Sequence, residues 1–301
     1  MVENNNGNCG SLSQSVIVAM LVRGPEGVVE FNRRRREEQG ARITLKNVDL
    51  SNLDLRGADF SNMTIEAVSF RGADLMRANF GSSYLKDVDC SEADMIEAVF
   101  DHATLWNVTL EQTTLQETKF VRAHFLDTSL RGLDLSDADF SESFLAVDFS
   151  EATLSGCTFQ FAVLGGSTFN KVNLEGVCFA QADLQGVDLS NAFSLNRADL
   201  TRANLEGVDL HSLDLSGAKL NRAKLNEADL SETNLRGADL ERAKLKEADL
   251  SGADLEGATL IRASFIRANC SRANFARAII EGAKFQQASL VEANLAGLNI
   301  E

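Results

Sequence analysis

From Leu45 onward a large side chain returns at every fifth position: Leu45, Leu50, Leu55, Phe60, Ile65, Phe70, Leu75 and Phe80 begin a series that reaches Leu145. Self-similarity at a short fixed period constrains a fold more than any composition does, because each unit must then meet its neighbours in the same way. Two residues before the centre stands a small apolar residue, as in Ala58, Ala73, Ala78, Ala93, Ala98 and Ala103. Asp or Asn often lies between them, and Ser, Thr, Arg, Glu or Gly follows. Residues 248–252 read Ala-Asp-Leu-Ser-Gly and residues 203–207 read Ala-Asn-Leu-Glu-Gly.

The frame slips twice and the slips cancel. Phe149 follows Leu145 after four residues, the period of five resumes to Leu189, and Leu195 then follows after six. Blocks of 21, 9 and 22 centres give 52 units up to Ile300. A second period is carried by phenylalanine: Phe60, Phe80, Phe100, Phe120 and Phe140 are 20 apart, and Phe159 and Phe179 continue the series once the missing residue is allowed for. A helix of 3.6 residues per turn has no use for this spacing. In an unbroken strand a period of five would send successive centres to opposite sheet faces. A chain that turns a corner every five residues satisfies both periods, closing a four-sided coil in 20 residues.

On these residues the stretch 43–301 resembles the pentapeptide-repeat family, whose units follow the pattern A-(D/N)-L-x-x. The resemblance implies an all-β solenoid, a right-handed quadrilateral β-helix, with the centre and the residue two before it pointing inward. Four units per coil give about 13 coils, and a strand spacing of roughly 4.8 Å makes the rod on the order of 60 Å long. Stability then accumulates by stacking, since a lone coil cannot bury its own core. The slips near 146–148 and 190–194 are expected to distort corners and re-aim outward residues without breaking the core.

The domain reading is a disordered tail over 1–10, a helical cap over 11–40 and the β-helix over 41–301. An open β-helix end exposes core and unpaired backbone and needs covering. Ser11 to Gln39 reads as helical with a break at Gly24-Pro25, and Gly27 to Arg35 is similar to the Gly-Val-x-x-Trp-Asn-x-x-Arg lead-in of many bacterial arrays. By that resemblance Phe31, in the Trp position, and Asn32 pack on the first coil. Arg33 to Arg36 read as a solvated helix face balanced by Glu37 and Glu38, with a phosphate contact as the alternative. Near the C-terminus Ile261, Ile266, Ile279 and Val291 occupy outward positions, which leads us to expect a homodimer through the last coils, as in several family members.

Catalytic constellations are not evident. His102, His124 and His211 stand on different units and read as far apart, so neither a metal nor a nucleophile site is expected. Glycine-rich phosphate loops are absent, and no cofactor is called for. Five cysteines without a C-x-x-C pair suit a reduced, cytoplasmic protein. No apolar run approaches 20 residues, which excludes a membrane helix. The net charge of −15 argues against direct nucleic-acid binding, which depends on Lys and Arg.

Outward aromatics are informative because the repeat does not require them. Stacking at period 20 gathers Tyr84, Trp106, His124, Leu126 and Phe144 on one side, including the only Trp and only Tyr of the chain. Such a stripe reads as a partner-binding surface, against scattered tolerance of single exposed hydrophobes. Arg202, Arg222, Arg242 and Arg262 recur at one outward position and read as a salt-bridged wall with Glu206, Asp239 and Glu241, or as a contact for an acidic protein.

Two functions follow from these features. The first is a non-catalytic rigid scaffold that binds an unidentified protein through the aromatic stripe. The second is a DNA mimic of the gyrase-binding, quinolone-resistance type, for which charge density is the test. Residues 45–145 carry 18 acidic and 8 basic side chains, residues 146–194 carry 5 and 1, and residues 195–301 carry 16 and 14. The first stretch reaches about one net charge per 2.5 Å, against one per roughly 1.7 Å for duplex DNA, and the last stretch falls far short.

Overall fold

The computed structural model describes residues 12–37 and 43–299. Residues 1–11, 38–42 and 300–301, including the stretch read as a tail, lie outside the described residues.

From Ile43 the chain winds as a parallel β-solenoid, each short strand pairing with the one 20 residues on. Asp49 pairs with Ser69, Asp54 with Asp74, Asp59 with Asn79 and Thr64 with Tyr84. These are the four sides of one coil. The first side is centred on Leu45, Ile65, Leu85, Leu105 and Phe125 and carries the longest strands: β1 (Thr44–Lys46), β2 (Thr64–Glu66), β3 (Tyr84–Lys86), β4 (Thr104–Trp106) and β5 (His124–Leu126), in that sheet order. The second, third and fourth sides are centred on Leu50, Leu55 and Phe60 and their equivalents.

The five-residue unit encodes this shape position by position. The centre and the residue two before it are fully buried, as at Ala58 and Phe60 or Ala73 and Leu75. The Asp or Asn between them points out and accepts a hydrogen bond from the backbone N–H two residues on, as Asp49 does from Ser51 (2.9 Å) and Asp89 from Ser91 (2.9 Å). This local bond favours a turn over a continued strand. The residue two after the centre then takes a positive φ, 58° at Asn52, 65° at Gly57 and 57° at Asn62, and the chain turns its corner there. Where Ser or Thr replaces the small inward residue its hydroxyl finds a carbonyl, as Ser83 does on Phe80 (2.5 Å) and Thr118 on Met95 (3.1 Å), so no inward polar group goes unpaired at these sites.

The core is built from stacked columns. On the fourth side Phe60, Phe80, Phe100, Phe120, Phe140, Phe159 and Phe179 stack with ring centroids between 4.7 and 5.2 Å apart. Phe149 and Phe169 on the opposite second side meet this column edge-on, near 90°. Offset stacking along the axis and edge-to-face contact across it are the two favourable aromatic geometries.

The first frame slip is absorbed at a corner and the second within a strand. Between Leu145 and Phe149 the positive-φ residue is omitted, so the corner series passes from Glu142 to Glu151, and strand pairs there are offset by 19 (Asp134 with Thr153, Phe144 with Val163). Near 190–194 the extra residue is Phe193. Its N–H donates to Val172 O (2.8 Å) while Leu174 N–H donates to Ser194 O (2.9 Å), so two residues oppose Asn173 and form a β-bulge. Leu145, Phe149, Leu189 and Leu195 stay buried through both slips.

Two helices, α1 (Gln14–Leu21) and α2 (Pro25–Glu37), lie against the first coil. Ile17, Leu21 and Phe31 are completely buried, and Phe31 meets Phe60 at 5.6 Å. Two side-chain amides complete the backbone pairing of that coil. The Asn32 amide donates to Gly57 O and accepts from Asp59 N–H, both at 2.8 Å. The Gln14 amide donates to Lys46 O (3.0 Å) and accepts from Lys46 N–H (2.8 Å). Arg35 donates to the carbonyls of Asp59 and Ser61. Arg33 and Arg34 instead pair with Glu30, and Arg33 also reaches Glu37.

Candidate functional site

On the first side of the solenoid the residues flanking each buried centre point to solvent. The register places Tyr84, Thr104 and His124 in one column and Lys86, Trp106 and Leu126 in a second, on either side of Leu85, Leu105 and Phe125. His124 pairs onward with Phe144, and Phe144 with Val163. Tyr84, Trp106, His124, Leu126 and Phe144 thus occupy four successive coils of one side.

The patch extends further than these five. Val163 continues the first column past the slip, and Phe161 joins from the corner between the fourth and first sides. Trp106, Leu126, Phe144, Phe161 and Val163 keep between 37% and 50% of their surface exposed, which makes this a contiguous apolar surface. Carrying the one-residue deletion through the period would have found both added residues, since each stands 19 after a patch or corner residue. Phe161 also has a backbone φ of 61°. A bulky side chain in that region is strained, and this one is neither buried nor needed for the corner.

Polar contacts order the patch. The Lys86 ammonium sits 4.3 Å from the centre of the Trp106 ring, a cation–π contact, and Trp106 Nε1 donates to Asp127 Oδ2 at 3.1 Å. The His124 and Phe144 rings stack at 4.6 Å. Arg122 Nε donates to Glu142 Oε2 at 2.6 Å, and this partner holds the Glu142 carboxyl below its ordinary pKa. A shallow groove of about 630 Å³ runs between the first column and the corner residues beside it, lined by His102, Arg122, His124, Glu142, Phe144 and Phe161.

The groove corrects one reading. His102 and His124 are not far apart in the rod but line the same depression, because position 102 is the corner and position 124 the strand of the next coil. Among the described residues no group of His, Cys, Asp and Glu could hold a metal ion. Burial raises the pKa of the Cys90 thiol and pushes those of Cys157 and Cys270 up to about 12, so none of the three is a ready nucleophile.

The remaining sequence-read residues are dispersed. Ile261 and Ile279 flank the fourth-side centre on consecutive coils, whereas Ile266 and Val291 lie on the first and second sides. The three isoleucines are half-buried and Val291 is exposed, and they form no single patch. In the last described coil the exposed apolar groups are Leu290, Val291 and Leu295. The arginine column does not form a salt-bridged wall. Arg242 pairs with Glu241 at 3.4 Å, and among the described residues Arg202, Arg222 and Arg262 have no ion pair. Among the described residues none of the four pairs with Glu206 or Asp239.

No helix among the described residues is long and apolar enough to cross a membrane. The sequence profile described as pentapeptide repeats matches eight copies, spanning 44–145, 148–261 and 268–301. No curated protein matches this chain. Among solved structures, a pentapeptide repeat protein from the Arabidopsis thaliana thylakoid lumen is 37% identical over 31% of this chain, which spans 65% of that protein's length, with a TM-score of 0.30. HetL, a pentapeptide repeat protein involved in heterocyst differentiation regulation in the cyanobacterium Nostoc, is 26% identical over 90% of this chain and 95% of its own, with a TM-score of 0.18. QnrB1, a plasmid-mediated fluoroquinolone resistance protein, is 15% identical over 86% of this chain and 92% of its own, with a TM-score of 0.21.

Proposed function

We propose, from the premise that this chain belongs to the pentapeptide-repeat family, that it works as a non-catalytic rigid scaffold that binds a protein partner through the patch on its first side. One observation carries the reading: Trp106, His124, Leu126, Phe144, Phe161 and Val163 occupy neighbouring outward positions on successive coils, with Tyr84 in the same column beyond Thr104, on a fold that buries every unit centre as far as Phe275. Exposed aromatics of this kind are the usual anchors of interfaces. The strands behind them are locked by ladder hydrogen bonds on both sides, so the patch is presented with little ordering cost on binding. The unreactive buried thiols suit a reducing, cytoplasmic setting.

The test is affinity capture from an extract of the source cells with the full chain and with a Trp106→Ala/Phe144→Ala variant. We expect a partner that the wild type retains at high salt and the variant loses. Retention by the variant would sink the reading. A partner released by moderate salt, together with salt-sensitive inhibition of gyrase supercoiling, would favour the DNA-mimic alternative, which draws on the excess of carboxylates in residues 45–145.

A further inference from the structure

The aromatic patch ends at Phe161 and Val163, but the two columns that carry it continue. The corner column passes through Gln181 to Arg202, Arg222, Arg242 and Arg262. The strand column passes through Asp183 and Asn204 to Lys224, Lys244, Ser264 and Lys284. All seven cations are exposed, in two adjoining columns on the same edge of the solenoid as the patch.

Their arrangement is unlike that of the other corners. At four corners elsewhere a cation faces a carboxylate one coil away: Arg77 with Glu97 (2.8 Å), Arg122 with Glu142 (2.6 Å), Lys171 with Glu151 (3.1 Å) and Arg267 with Glu247 (2.7 Å), while the isolated corner cations Arg197 and Arg272 have no ion pair among the described residues. Here four successive corner residues are arginine, and Lys224 stands directly opposite Lys244. Like charges opposed across a ladder destabilise it. Of the seven, only Arg242 has an ion pair among the described residues, the one with Glu241. The carboxylates in the flanking columns, Glu241 and Glu281 on the fourth side and Glu206 across the first, are too few to match them. Like charges opposed in this way do not hold the ladder together, so the use of this largely unpaired strip lies outside the fold.

We propose that the strip is the second half of one docking surface, and that its partner is an extended, acidic polypeptide segment with an aromatic or large aliphatic anchor. This rests on the aromatic patch being a docking face. The anchor occupies the groove between His124, Phe144 and Phe161, and carboxylates farther along the segment meet the seven cations in charge-assisted hydrogen bonds. Each column offers one residue per coil along the solenoid axis, which suits an extended chain. Phe161 to Arg202 is two coil steps, about 10 Å, or about three extended residues. The strip itself covers about 19 Å, room for about three carboxylates on one side of a strand. A nucleic acid fits less well, because it is charged along its whole length and the acidic remainder of the rod repels it on either side of the strip.

The test is selection of a phage-displayed library of random peptides of about 16 residues on three targets: the full chain, an Arg222→Glu/Lys224→Glu/Arg242→Glu/Lys244→Glu variant, and a Phe144→Ala/Phe161→Ala variant. The milder Lys224→Gln/Lys244→Gln variant is carried in parallel, and circular dichroism checks that each is folded. Wild type should enrich peptides with an apolar anchor about three residues from a run of Asp and Glu. The charge-reversed variant should still select the anchor but lose the acidic run. A synthetic consensus peptide should bind at least about tenfold more weakly to Lys224→Gln/Lys244→Gln and in about 0.5 M salt. Apolar peptides with no acidic preference would overturn the strip and leave the patch reading intact. Acidic peptides selected equally by the Phe144→Ala/Phe161→Ala variant would overturn the joint surface through the patch. No enrichment would overturn both, and tighter binding of a thymidine oligonucleotide than of the consensus peptide would overturn the polypeptide assignment.

Discussion

At the scale of the residue, the corner position decides where the chain can afford function. Most corners carry a backbone in the left-handed region, which costs a residue with a Cβ roughly 1–2 kcal/mol relative to glycine. Gly57, Gly132, Gly176 and Gly207 meet that requirement directly, whereas Phe161 meets it with a bulky ring left in solvent. Phe161→Gly should therefore raise thermal stability by about 1 kcal/mol while weakening partner binding, and a melting curve beside a binding isotherm reads both. A fall in stability would mean that the ring holds the fold instead of serving the surface. Charge at this scale sets the pH response. Glu30 is lowered from its ordinary 4.5 to about 2 by hydrogen bonds from Arg33 and Arg34, and Glu97 and Glu142 are lowered by Arg77 and Arg122. A carboxylate with a depressed folded pKa stabilises fully above its unfolded value and loses that contribution as pH falls. The melting midpoint should hold steady from neutral pH to about 5 and then decline below the ordinary carboxylate range. A Glu97→Gln/Glu142→Gln variant should decline less steeply over the same interval.

At the scale of the element, the phenylalanine column and the bulge respond to substitution in opposite ways. Phe100 is stacked between Phe80 at 4.7 Å and Phe120 at 5.2 Å with no exposed surface to relax into. Phe100→Ala should cost about 3–5 kcal/mol, with faster amide exchange in the coils on either side. Phe193 is 65% exposed and its N–H occupies the ladder position that Ser194 would otherwise take. Deleting Phe193 restores a five-residue step from Leu189 to Leu195, so this shorter chain should fold with its melting midpoint unchanged or raised. A large loss would show that the bulge is needed by the coils around it. The sequence makes the unit legible because each of its five positions has one physical task, and period-20 arithmetic alone puts Tyr84, His124 and Phe144 in a single column. It leaves Gln14 unread and misreads Arg35 as part of a solvated face, because their partners are backbone groups of the first coil and no repeat marks them. It also misleads on Arg202 to Arg262, since proximity in sequence to Glu206 and Asp239 does not say which way a corner turns a side chain.

At the scale of the whole molecule, a solenoid has no long-range tertiary contact other than between neighbouring coils, so its stability is a sum of coil and interface terms that varies along the axis. The first coil has its backbone pairing completed by the Gln14 and Asn32 amides and its core met by Phe31. The coils that follow as far as Phe179 add ring stacking to aliphatic burial, whereas Leu200, Leu220, Leu240 and Leu260 continue the same column without it. In the last described coil Leu290 and Leu295, both unit centres, are exposed. Amide exchange should consequently be slowest across the coils of Phe60 to Phe179, intermediate through Leu200 to Leu260 and fastest beyond Ile280, with exchange rates stepping from coil to coil. The aromatic patch then lies over the most protected coils and the basic strip over less protected ones. If one partner engages both, its binding should slow exchange more in the coils of Lys224 to Lys284 than beneath Phe144, because only the former have flexibility left to lose. Uniform protection along the rod in the free chain would contradict the additive picture. A partner that protects the Phe144 coils alone would confine the docking surface to the patch.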